Sequence, residues 1–140
     1  MDMVEEKDAS EHLALLEAYK EQLETLEQQS VYIQALITEY TKARITMEQL
    51  SNIKDGVDIL MPIGGGVFVP AVSKDTSKVL LAEGADIVVE KSIDEAVRSM
   101  NKRIEELQNN LVKLDEMAQQ IQQKAQEISM ALQDMFKEKK

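Results

Sequence analysis

The sequence predicts a mainly α fold: two long helices paired as an antiparallel coiled coil, with two β-hairpins between them that need other subunits to cover them. Three observations carry this. The last third of the 140 residues keeps an unbroken heptad pattern, the first third keeps a looser one, and the middle holds four short apolar runs parted by turn residues. The expected divisions are an N-terminal coiled-coil helix over 1–55, two hairpins over 56–91, and a C-terminal coiled-coil helix over 92–140.

In the first arm, Leu16, Tyr19, Leu23, Leu26, Ser30, Ile33, Ile37, Tyr40, Arg44 and Met47 follow alternating steps of three and four. Ser30 and Arg44 are polar interruptions of the kind that weaken a seam but fix its register. Lys54 reads as a last-turn cation, with Gly56 as a left-handed C-cap beyond it. In the second arm, Val97, Met100, Ile104, Leu107, Leu111, Leu114, Ala118, Ile121, Ala125, Ile128, Leu132 and Met135 form a wholly apolar seam. Ser92 and Glu95 open that helix as a capping box. Each arm would reach roughly 65 Å at the helical rise per residue. Their similar lengths predict that they fold back on one another. In the expected register paired positions sum to 144, which sets Leu26 against Ala118 and Tyr19 against Ala125, large beside small.

Between the arms, Val57–Ile63, Val67–Val72, Val79–Leu81 and Ile87–Val89 read as strands. The separators are Gly64-Gly65-Gly66, the polar run Ser73–Ser77 with Lys78, and Gly84-Ala85-Asp86. The three glycines invite comparison with a phosphate-binding loop. Such a loop needs a lysine and a Ser or Thr directly after it, opening a helix, whereas Val67-Phe68-Val69 follows here. The run is therefore a tight turn that needs positive φ. Isolated hairpins are marginal in water. These would expose Ile59, Leu60, Met61, Val67, Phe68, Val69, Val79, Leu80, Leu81, Ile87, Val88 and Val89 on both faces. Pro62 and Pro70 suit an edge or a bend. The predicted remedy is assembly with other chains.

Composition excludes several functions. A formal net charge of −10 argues against nucleic acid, whose binding rests on lysines and arginines at phosphates. No stretch approaches the ~20 apolar residues of a membrane span, and no basic-then-apolar signal pattern opens the chain. There is no cysteine, which removes disulfides and thiolate metal sites and suits a cytoplasmic location. No enzyme is expected. His12, the single histidine, stands near an expected frayed end, and the adjacent carboxylates Glu105-Glu106 and Asp115-Glu116 diverge on a helix. No metal or cofactor is expected.

The hairpin region "PIGGGVFVPA" and the run "KVLLAEGADIVVEKSIDEA" resemble the alpha-class subunit of archaeal prefoldin, and the likeness extends along essentially the whole chain. Two hairpins rather than one point to the alpha class. The second turn departs from the family by carrying Asp86 where a glycine is frequent; aspartate tolerates left-handed backbone. The resemblance implies a hexamer of two alpha-class and four beta-class subunits, with the hairpins forming an inter-subunit β-barrel body. It further implies ATP-independent capture of unfolded polypeptides at the coiled-coil tips and delivery to a group II chaperonin.

At the tips, Leu13, Leu15, Met130 and Phe136 exceed what the seam uses, and with the seam ends Leu16, Leu132 and Met135 they form the expected client-binding set. Unexplained outward apolar groups are informative, and methionine adapts to partners without a shared sequence. The rival reading is a structural coiled-coil adaptor joining defined partners, which has no need of spare apolar tips.

Overall fold

The computed structural model describes residues 3–137. In chain order it holds α1 (Met3–Leu50), β1 (Asp58–Gly64), β2 (Val67–Val72), β3 (Lys78–Ala82), β4 (Val88–Ser92) and α2 (Ile93–Lys137). The strands form two separate antiparallel hairpins, β1–β2 and β3–β4. The fold divides into two compact units. One comprises the chain up to Leu36 and from Leu107 on, the other Ile37–Glu106.

The first unit is a helix pair. Its heptad positions are all at least partly buried, Ser30 included, while most intervening positions are exposed. One groove along the pair is lined by Leu23, Leu26 and Ser30 with Leu111, Leu114 and Ala118, and it includes two pairs of the sum-to-144 register, Leu26 with Ala118 and Ser30 with Leu114. The three-four spacing continues toward the start of α1, where Ala9 and His12 are also half-buried. His12 is thus a seam residue, not part of a frayed end. Its Nδ1–H donates to the Asp8 carbonyl at 2.7 Å.

The second unit has the only buried cluster among the described residues. Met47, Ile93, Ala96 and Met100 form it, and Tyr40, Leu50, Val97, Val79 and Leu81 pack against it. α1 ends at Leu50, short of the expected Lys54. Ser51 and Asn52 side chains donate to the Glu48 carbonyl, at 2.6 and 3.4 Å, and so compete with continuation of the helix. Gly56 is left-handed at φ 84°, as its sequence context suggests, but it turns the chain into β1 rather than capping the helix. Its N–H donates to the Ser73 carbonyl at 2.9 Å and closes the root of the first hairpin.

Between the hairpins, Thr76 anchors the connector. Its hydroxyl donates to the Ile53 carbonyl at 2.8 Å, and its N–H to Asp55 Oδ1 at 2.9 Å. Asp75 Oδ1 accepts from the Ser77 hydroxyl and N–H at 2.6 and 2.8 Å, and these two donors hold its carboxyl below the usual aspartate range. α2 then starts on Ser92, whose Oγ accepts the Glu95 N–H at 3.2 Å, the serine half of the predicted capping box.

Candidate functional site

Neither hairpin resembles the other in what it covers. In β1–β2, Ile59 faces Ala71 and Met61 faces Val69 on one side, while Leu60 faces Pro70 and Pro62 faces Phe68 on the other. Every residue from Leu60 to Pro70 is exposed, so both sides of this hairpin are uncovered in the single chain. Its turn uses left-handed backbone at Gly64, Gly65 and Gly66, with φ of 105°, 61° and 76°, and a register shift between Pro62 and Gly64. The glycines serve chain reversal, and β2 follows them directly.

In β3–β4 one side is occupied. Val79 and Leu81, two of the expected assembly residues, are part-buried against the helix-base cluster of their own chain. Ile59 is likewise part-buried. The remaining nine expected assembly residues are exposed, from Val89 at 37% to Leu80 at 73%. Ile63 and Val72, elsewhere on the first hairpin, are each 62% exposed.

An ionic clamp holds the second hairpin in its unit. Lys91 Nζ lies 2.9 Å from Glu83 Oε1, and Arg103 Nη2 lies 3.5 Å from Glu83 Oε2. The same Arg103 nitrogen donates to the Ala82 carbonyl at 3.1 Å, and its guanidinium sits 5.8 Å from the centre of the Tyr40 ring. Lys91 also donates to Ser99 Oγ at 3.3 Å. The Lys91 hydrogen bond, aided by the charges of Lys91 and Arg103, keeps the Glu83 carboxyl below the usual glutamate range.

The helix pair presents a second apolar surface. Leu13, Leu15, Met130 and Phe136 are exposed by 56, 43, 58 and 54%. Leu132, by contrast, is only 6% exposed. It packs in the seam, so within the single chain it has no surface to offer and leaves the candidate set. Leu16 and Met135 are half-buried in the same seam. Among the described residues no cluster of three or more His, Cys, Asp or Glu side chains is placed to hold a metal ion. No described helix is long and apolar enough to cross a membrane.

Two long helices joined by two hairpins, with apolar surface left uncovered on the strands of the single chain, define a helical-hairpin protein with strands at its base. A family model described as Prefoldin subunit matches residues 19–138. Prefoldin subunit alpha of Archaeoglobus fulgidus is 34% identical over 119 residues, covering 85% of this chain and 87% of that protein. A chain of the filamentous prefoldin from Methanocaldococcus jannaschii superposes with a TM-score of 0.75 at 21% identity, over 84% of this chain and 97% of the other. The prefoldin beta subunit from Thermococcus strain KS-1 has the same fold, with a TM-score of 0.59 at 21% identity and 90% coverage of each chain. The chain belongs to the prefoldin family of chaperone subunits, within its alpha class.

Proposed function

We propose that this chain is the alpha-class subunit of a cytoplasmic, ATP-independent holdase. It assembles with beta-class subunits into a hexamer of two alpha and four beta chains, whose pooled hairpins form the barrel body. Unfolded polypeptides bind at the coiled-coil tips and pass to a group II chaperonin. The observation that carries the reading is the exposure of Leu13, Leu15, Met130 and Phe136 beside a seam that is already filled.

Magnitudes favour many weak grips over one strong one. A fully buried Leu or Met side chain contributes roughly 1.5–3 kcal/mol, and ordering costs remove much of it. One tip retaining about 4 kcal/mol would hold a client only near the millimolar range. Several tips acting on one polypeptide gain through effective concentration, and each still releases quickly.

The test is Leu13→Ser combined with Phe136→Ser in the assembled complex, read by aggregation of an unrelated denatured protein. The expected result is a marked loss of suppression at unchanged particle mass. Undiminished suppression would remove these residues from the client site. A complex that never slows aggregation, wild type included, would favour the adaptor reading.

A further inference from the structure

Away from the ends, the helix pair carries a lateral groove that neither the seam nor the tips account for. From Gln28 to Thr38, α1 has no charged side chain at all, in a chain whose net charge is −10. Within this stretch Tyr32 is 66% exposed, and across the pair Met117 is 49% exposed. The two residues line one groove. That groove shares Thr25 and Met117 with a neighbouring one that extends to Ala18 and Ile121, so the two are continuous along one side of the unit. Seam residues Leu26, Ile33, Leu114 and Ile121 floor it. From Ala18 to Ile33 it runs about 22 Å along α1, the span of about six or seven extended residues.

The polar groups lining it identify an occupant. Gln22, Gln28, Gln29 and Asn110 each offer an amide donor and acceptor, the complement of a main chain that lacks a strand partner. Only two lining residues are charged. Glu21 lies in the stretch nearer the start of α1, and Lys113 in the stretch farther along it. An extended segment of about six apolar or neutral residues, basic at the Glu21 end and acidic at the Lys113 end, meets every group in place.

We infer that this groove is a second client-binding site, one that takes an extended apolar segment of an unfolded polypeptide along the side of the coiled coil. The inference rests on the chaperone reading but not on the tip residues. A client held at the tip would then continue into the groove, and the grip on one chain would be shared between two sites on a single subunit.

The test uses the assembled alpha–beta complex and a synthetic peptide of about seven residues, Lys at one end, Asp at the other and apolar between. A photo-crosslinking p-benzoylphenylalanine replaces Met117, or in a control Val112, which is 58% exposed and outside the groove lining. Crosslinking is expected from position 117 and not from 112. Adding Tyr32→Ser should lower the yield at 117 roughly fivefold without altering particle mass. Equal yields at both positions, indifference to Tyr32→Ser, or crosslinks from 117 to another copy of this chain would each overturn the groove site. Leu13→Ser with Phe136→Ser should leave the peptide crosslink intact while losing suppression of aggregation. If suppression depends on the tip but no peptide is captured at 117, the groove falls alone; if the wild-type complex suppresses nothing, the chaperone reading falls.

Discussion

Ala85 is held where alanine is uncomfortable. In the turn joining β3 to β4, Gly84, Ala85 and Asp86 all have positive φ, at 90°, 49° and 60°. The Glu83 N–H donates to the Ile87 carbonyl and the Ile87 N–H to that of Gly84, both at 2.9 Å, which locks the turn in this shape. Left-handed backbone costs an L-residue with a Cβ about 1–2 kcal/mol. Aspartate bears it better than alanine, so the strain centres on Ala85. Ala85→Gly relieves the clash while adding freedom to the unfolded chain, and the net gain should be about 0.5 kcal/mol. A urea titration of the complex should show a higher midpoint at unchanged slope. A lower midpoint would mean that the unfolded-state entropy outweighs the strain.

Glu83 decides how firmly the second hairpin is attached, because Lys91 on β4 and Arg103 on α2 both reach its carboxylate. Its folded-state pKa is depressed, so its contribution is complete above the ordinary glutamate value of about 4.3. That contribution is lost as pH falls through the lower folded value. Acidification from neutrality into that range should therefore weaken β3–β4 docking. Glu83→Gln should lower the urea midpoint at neutral pH and flatten its dependence on pH in the acidic range. An unchanged pH profile would show the clamp to be solvated away. The clamp itself was invisible in the sequence. It joins residues 83, 91 and 103, which share no periodicity, and only the packing of Val79 and Leu81 on the helix base brings them together. The seam, by comparison, was legible almost residue by residue, because burial along a helix repeats with the heptad. What that pattern hid was its own extent: His12 occupies a seam position, but its polarity disguised the continuation.

The two hairpins should differ in what they can do alone. β3–β4 has a covered side and an ionic clamp to its own helices, whereas β1–β2 is closed at its root by Gly56, Val57 and Ser73, is part-buried there at Ile59 and Ala71, and is exposed from Leu60 to Pro70. A lone two-stranded hairpin is at best marginal in water, and a row of Leu60, Met61, Val67 and Phe68 at half exposure or more would remain wet. The sequence showed that the middle of the chain lacks a core of its own. It did not show that the deficit falls on one hairpin, since both read as apolar runs of similar make-up and only the fold gives one of them a floor. The demand for partners is thus concentrated in residues 58–72. Hydrogen exchange of the chain on its own should find those amides nearly unprotected while 78–92 are slowed. Addition of a beta-class subunit should protect 58–72 as the particle mass rises to that of the hexamer. Equal protection of 58–72 with and without the partner would mean that the first hairpin is stable unaided, and the physical reason for co-assembly would be gone.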